Sequence, residues 1–209
     1  MNFDALIGLI GSQPVFTTGM LKIPGVNDEE ITLQLVRWGK AGRLIQLRRG
    51  VYALSAKYRK MEPHSFLVAQ TLNRASYVSL QSALAWHGLI PEHVPEVTSV
   101  TLGRPERIKT PLGAFQFRHL KPGLFVGYSQ IEATTGQQAV VASPEKAVVD
   151  LFYLTPASDG DGFVEELRLQ NTEKLERDRL TKWALLTGNG KTRRAVERLC
   201  LALEKERFS

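Results

Sequence analysis

The stretch Asp28–Leu54, DEEITLQLVRWGKAGRLIQLRRGVYAL, constrains this chain more than any other. Asn27 suits a helix N-cap, and Glu30 is placed to reach back to the cap's own amide. Ile31, Leu35 and Trp38 recur at the spacing of one helical face, and Thr32, Gln34, Arg37 and Lys40 fall largely off it. Gly42 ends the helix. Leu44, Ile45 and Leu47, then Val51, Tyr52 and Leu54, form two apolar runs. Arg48-Arg49-Gly50 breaks them, a loop of hairpin length with a glycine for a left-handed conformation. A helix followed by a basic-tipped hairpin reads as the recognition helix and wing of a winged helix-turn-helix.

Charge follows the same stretch. From Ile31 to Met61 there is no Asp or Glu, and the cations are Arg37, Lys40, Arg43, Arg48, Arg49, Lys57, Arg59 and Lys60. They supply much of a formal net charge of +6. Such a face attracts phosphate backbones and releases counterions on binding, which makes duplex DNA the expected partner. Asp28, Glu29 and Glu30 oppose this at the helix start; they suit the helix dipole but repel phosphate. A second reading follows from them: a protein-interaction module whose winged helix no longer binds DNA strongly.

Upstream, Phe3, Leu6, Ile7 and Ile10 predict an amphipathic first helix over Phe3–Ile10, capped by Asn2 and closed by Gly11 and Pro14. Thr17 to Lys22 predicts a short second helix, stopped by Pro24-Gly25. In a winged fold that helix crosses the DNA backbone, so Thr17, Thr18 and Lys22 join the candidate DNA contacts Thr32, Gln34, Arg37, Lys40, Arg43, Arg48 and Arg49. The expected DNA-binding domain is 1–58.

Lys57 to Pro63 reads as a linker to a second, α+β domain over 63–209. A helix from Pro63 to about Asn73 is followed by a short extended Tyr77-Val78 and a helix over Leu80–His87, capped by Ser79 and ended by Gly88. From Val97 to Val141 the runs VTSVTL, GAFQFRHL, LFVGYSQI and QQAVVAS predict four or five strands in a small, mostly antiparallel sheet. Ser143-Pro144 is an N-cap with proline at the first helical position. Thr155–Gly162 reads as a flexible break. The helical C-terminal segment carries apolar stripes at Phe163, Val164 and Leu167, at Leu180, Trp183 and Ala184, and at Ala195, Val196, Leu199 and Leu203. Packing on the protein's own sheet is the favoured use of those stripes.

With 43% hydrophobic and 23% charged residues, the 209-residue chain reads as globular. Its one cysteine, Cys200, allows no internal disulfide, which fits a reducing cytoplasm. The start has no basic n-region and reads as no signal peptide, and no apolar run approaches the roughly 18 residues that span a bilayer. Enzyme chemistry is not supported. Gly190-Lys191-Thr192 imitates the end of a P-loop, but Leu185 stands where the first glycine belongs. Ser143 and Lys146 match the bare S-x-x-K spacing without its companion motifs, so capping explains the serine. His64, His87, His93 and His119 are scattered and lack metal-ligand spacing. No catalytic residue, no metal and no cofactor is therefore expected.

Three segments together resemble the AbiEi-type antitoxins of type IV toxin–antitoxin (abortive infection) systems. They are Gly42-Arg43-Leu44 through Arg49-Gly50-Val51-Tyr52; Tyr77-Val78-Ser79-Leu80-Gln81-Ser82-Ala83-Leu84 with His87-Gly88-Leu89; and Ala142-Ser143-Pro144-Glu145-Lys146-Ala147-Val148-Val149-Asp150-Leu151. Their order and spacing cover Phe16 to Leu154. The resemblance implies an N-terminal winged helix that represses the protein's own operon. It also implies a C-terminal domain that neutralises a co-encoded nucleotidyltransferase-like toxin, not necessarily through a stable complex. DNA-contacting roles carry over onto Thr32, Gln34, Arg37, Lys40, Arg48 and Arg49. Winged-helix repressors commonly read inverted repeats as symmetric pairs, so the own promoter with such repeats is the expected duplex. The Ser79–Ala83 and Ser143–Asp150 motifs read as capped helices that buttress the sheet.

Overall fold

The structure is a computed structural model and describes residues 1–21, 27–92, 94–160 and 162–207. Helix α1 (Phe3–Ile10) opens on Asn2, whose side chain accepts from the Ala5 amide at 2.8 Å. β1 (Val15–Thr17) and a 3-10 turn (Thr18–Leu21) follow. α2 (Asp28–Lys40) opens on Asn27, whose Oδ1 accepts from the Glu29 amide at 3.0 Å. It closes in a Schellman motif. Gly42, at φ 68°, donates to Gly39 and Arg43 donates to Trp38, so the chain leaves the helix at a glycine because a side chain there would be strained. β2 (Leu44–Arg48) and β3 (Val51–Leu54) form an antiparallel hairpin, and β1 lies on the far edge of β3.

The expected short helix over Thr17–Lys22 is corrected by this arrangement. Val15, Phe16 and Thr17 pair with Ala53, Tyr52 and Val51, and only Thr18–Leu21 turns, as a 3-10 helix. Burial of Val15 and Phe16 on the hairpin outweighs the weak helix preference of Thr-Thr-Gly. Lys22 lies outside the described residues.

Beyond the hairpin come α3 (Ser65–Leu72), β4 (Ser76–Val78) and α4 (Leu80–Trp86). β5 (Glu96–Thr101), β6 (Glu106–Thr110), β7 (Gly113–His119), β8 (Tyr128–Thr134) and β9 (Gln137–Ala142) follow. The chain ends in α5 (Pro144–Leu154), α6 (Phe163–Glu166), α7 (Arg177–Leu186) and α8 (Gly190–Arg207). Mixed helix and sheet is thus the observed class.

The larger sheet has six strands in the order β6-β7-β5-β4-β9-β8. β5–β7 and β4–β9 run parallel and the other neighbours antiparallel, so the sheet is mixed; β5–β9 are within the four or five strands expected, and β4, over the extended Tyr77-Val78, makes the sixth. The strand over 106–110, ERIKT, escaped the sequence because it is an edge. Arg107 and Lys109 stand outward where charged side chains protect an unpaired edge, leaving only Ile108 as an apolar marker.

Among the described residues, three apolar clusters form the core. One joins Phe3, Leu6, Phe16, Leu35 and Trp38 beneath α2. The largest lies between the six-stranded sheet and the helices after it, and buries Leu180, Ala184, Ala195, Val196 and Leu199, so the C-terminal stripes pack inward as favoured. The third spans both parts of the chain. Val15, Leu47, Val51 and Ala53 of the first sheet meet Val68, Ala69 and Leu72 of α3 and Phe115 and Phe117 of β7. Each large apolar side chain removed from water contributes about 1.5–3 kcal/mol.

Thr155–Gly162 is not the loose break its composition suggested. The buried Ser158 hydroxyl donates to Phe152 at 2.6 Å, and Arg194 holds Asp159 at 2.7 Å. Asp161 lies outside the described residues.

Candidate nucleic-acid interface

The inner face of α2 is buried through Ile31, Leu35 and Trp38, which fixes its outer face in solvent. Thr32, Leu33, Val36, Arg37 and Lys40 stand there, with Gln34 half-buried at the margin. The Thr32 hydroxyl donates to the Asp28 carbonyl at 2.8 Å, a bond within the helix. Two apolar side chains sit among these polar ones: Leu33 is 51% exposed and Val36 46%. Asp28, Glu29 and Glu30 occupy the exposed first turn, as expected.

The turn between β2 and β3 lies against the start of the 3-10 turn. The Thr18 amide donates to Gly50 at 3.0 Å. Gly50 has φ 78°, and a Cβ there would stand 3.3 Å from the Thr18 hydroxyl, so only glycine fits without a shift. Arg49 is exposed at this turn. Thr17 and Thr18 therefore lie beside the turn that carries Arg49.

Other candidate cations are engaged elsewhere. Arg43 is half-buried with its guanidinium 5.0 Å from the centre of the Phe3 ring, a cation–π contact on the first helix. Arg59 is only 11% exposed and is held by Glu62, with Nε 2.9 Å from Oε1. Arg48 is engaged by the second half of the chain. Its Nη1 donates to the Leu72 carbonyl at 2.9 Å and to Glu106 at 3.2 Å. Sequence reasoning missed Arg74, whose Nη2 donates to the Thr17 hydroxyl at 3.1 Å. No local pattern could have shown it, because the contact joins residues far apart in the chain.

The two motifs from the second half of the chain converge inside the molecule. Tyr77 and Ser79 donate to Asp150 Oδ2 at 2.9 and 2.8 Å, and Lys146 donates to the Tyr77 oxygen at 3.0 Å and pairs with Asp150 Oδ1. The side chains of Lys146 and Asp150 are 3% and 2% exposed. Burial lowers the Lys146 ammonium and raises the Asp150 carboxyl, each opposed by the other's charge. Burial, with Asp150 beside it, pushes the Tyr77 hydroxyl far above its ordinary range, so it stays a donor. Every polar group here is satisfied by another, and none is open to a substrate.

Ser79 therefore differs from its expected role. It holds the N-cap position of α4 but makes no side-chain cap bond, because Asp150 takes its hydroxyl. The next residue, Leu80, sits at φ 56°, a strained entry that this network holds in place. Ser143 does cap α5, accepting from the Lys146 amide at 3.2 Å. His87 is the C-cap residue of α4, and its Nε2 lies 2.8 Å from the Ala142 carbonyl.

The P-loop look-alike also has a structural use. Asn189 caps α8, and Lys191 donates to the Tyr153 and Thr155 carbonyls at 3.1 and 2.5 Å, neutralising the C-terminal end of α5. Among the described residues, no group of three or more His, Cys, Asp or Glu is placed to hold a metal ion. No helix there is long and apolar enough to cross a membrane.

Residues 5–55 match the family described as "Transcriptional regulator, AbiEi antitoxin". The resemblance to AbiEi-type antitoxins is matched over this N-terminal segment. No curated protein matches the chain. Among solved structures, the RV2827C protein from Mycobacterium tuberculosis is similar, with a TM-score of 0.50 and 17% identity over 93% of this chain and 74% of that one. That likeness shows a shared fold and extends well beyond the segment the family match covers.

Proposed function

We propose that residues 1–58 form a winged helix-turn-helix that binds duplex DNA upstream of the protein's own gene and represses it. We infer further that the chain is the antitoxin of a type IV toxin–antitoxin pair, with 63–209 as the antitoxin-type domain. A co-encoded nucleotidyltransferase-like toxin is its second partner, and no catalytic step is assigned to the chain itself.

One observation carries the DNA reading. The segment that matches a regulator–antitoxin family is also the one that sets Arg37, Lys40 and Arg49 in solvent, on the outer face of α2 and the adjoining hairpin turn. α2 is the recognition helix and the β2–β3 hairpin the wing in this reading. Asp28, Glu29 and Glu30 keep the first turn of α2 away from phosphates, so the helix enters the major groove with its middle: Thr32, Leu33, Val36 and Arg37. Gln34 and Lys40 flank that stretch, and Thr17, Thr18 and Arg49 meet the phosphates beside it.

A reporter driven by the promoter upstream of the gene tests this. The parent protein represses it, and the double charge reversal Arg37→Glu/Lys40→Glu restores expression while the variant accumulates to the same level. Equal repression by both proteins would refute the assignment. The exposed pair Leu33 and Val36 favours a second reading, a helix face that binds protein instead of DNA. A stable complex with the neighbouring gene product, abolished by Leu33→Ser/Val36→Ser and formed by a protein that binds no duplex, would establish that reading in place of the first.

A further inference from the structure

Two adjacent arginines, Arg48 at the end of β2 and Arg49 in the turn after it, are used differently by the structure. A register shift between Gln46 and Arg48 interrupts the β2–β3 ladder just before Arg48. Its guanidinium bridges two groups from the second part of the chain, the Leu72 carbonyl that ends α3 and the Glu106 carboxylate that begins β6. Glu106 is itself held. The same Oε1 accepts from Asn73 Nδ2 at 3.3 Å, and Asn73 Oδ1 accepts from the Thr101 hydroxyl at 3.3 Å. Beside this polar link, Leu47 and Val51 pack with Leu72 and Phe117 in the cluster shared by the two sheets. The hairpin is thus fastened on one face by apolar packing and at its tip by Arg48.

Arg74 comes from the turn just past α3 and takes the opposite course. It is exposed, and it reaches Thr17 beside Thr18 and Gly50. A cation from the second part of the chain therefore stands where the hairpin turn and the 3-10 turn meet.

Resting on the DNA-binding reading, we propose that Arg48 is a positioning residue that locks the wing to the α3–β6 edge, and that Arg74 takes its place as a phosphate contact. The interface then runs through Arg49, Thr18 and Arg74, across the junction between the two parts of the chain. Its geometry is set by the Arg48–Glu106–Leu72 link.

The salt dependence of DNA binding separates a phosphate ligand from a strut, because removing a side chain that neutralises one phosphate reduces the slope of log K against log salt by about 0.9. Fluorescence anisotropy with a labelled duplex from upstream of the gene is measured for the parent, Arg48→Met, Arg49→Met, Arg74→Met and Glu106→Gln. Arg49→Met and Arg74→Met each flatten the slope by that amount, and Arg48→Met keeps the parent slope. Glu106→Gln also keeps it, whereas an Arg48 merely sequestered from DNA would be released and steepen it. If Arg48→Met does not fold, Glu106→Gln and Arg74→Met decide the question. Flattening by Arg48→Met, steepening by Glu106→Gln or an unchanged slope in Arg74→Met overturns the proposal while leaving DNA binding intact. Failure of the parent to bind the duplex at low salt overturns the DNA reading and this proposal with it.

Discussion

The cations on α2 and at the hairpin turn stand in solvent, whereas Lys146 and Asp150 lie almost wholly inside the molecule. The hairpin turn and the Lys146–Asp150 segment both belong to stretches that carry the resemblance to AbiEi-type antitoxins, and both carry charged side chains. Their physics is opposite. An exposed charge contributes little to folding and is free to meet a phosphate. A buried pair is closed to ligands, and losing one partner leaves the other stranded in a medium that cannot solvate it. A motif rich in charge is thus ambiguous between contact and fastening until burial is known.

The largest effect is expected where the closed network is broken from one side. Asp150→Ala should cost about 3–5 kcal/mol, because the Lys146 charge loses its partner. The double replacement Lys146→Met/Asp150→Leu should cost clearly less. Urea unfolding measures both; a double variant as damaged as the single one would mean that packing, not stranded charge, sets the penalty.

A smaller loss, about 1.5–3 kcal/mol, is expected for Ser79→Ala, which removes one donor from the Asp150 carboxylate. If Ser79 acted instead only as a cap for α4, the loss would fall near 1 kcal/mol and would persist in a background lacking Asp150.

Alkaline unfolding isolates Tyr77. Its hydroxyl is raised in the folded state, so its stabilising effect is full below the unfolded value near 10 and is lost as pH rises above it. Stability should then fall by up to about 1.4 kcal/mol per pH unit on this account, and Tyr77→Phe should remove that component. An unchanged pH profile in Tyr77→Phe would place the alkaline loss elsewhere.

The open surface should give the smallest effect on stability and the opposite effect on function. Arg37→Ala and Lys40→Ala should each change stability by no more than about 0.5 kcal/mol. Each should nevertheless flatten the salt dependence of duplex binding by about 0.9. Loss of stability comparable with Ser79→Ala would put these side chains in the scaffold.

What was legible in the sequence follows the same division. Elements with a local signature were readable: the Asn2 and Asn27 caps, the Ile31–Leu35–Trp38 face, the glycine exit at Gly42 and the Ser143-Pro144 start of α5 all match the structure. Elements set by distant partners were not. Val15–Thr17 became a strand because β3 offers an edge, and the charged edge strand over 106–110 has no apolar alternation to betray it. The candidate site divides likewise. Thr32, Arg37, Lys40 and Arg49 are exposed as a helical wheel and a hairpin turn imply. Arg43 and Arg48 look the same in sequence but are engaged by Phe3 and by Glu106 with Leu72, partners no spacing rule could reveal, whereas Arg59 is held by Glu62, its neighbour at i,i+3. The convergence of the Tyr77–Ser79 and Lys146–Asp150 segments on one buried network was equally hidden.

The most direct test of a DNA-binding regulator is fluorescence anisotropy of the parent protein across a salt series. It is titrated against the duplex upstream of its gene and a scrambled duplex of equal length. Tighter binding to the native duplex, with a steep fall as salt rises, is the expected result. Equal binding to both duplexes would reduce the surface to a basic patch without sequence readout. No binding at low salt would contradict the DNA reading and turn attention to the protein-binding face of Leu33 and Val36.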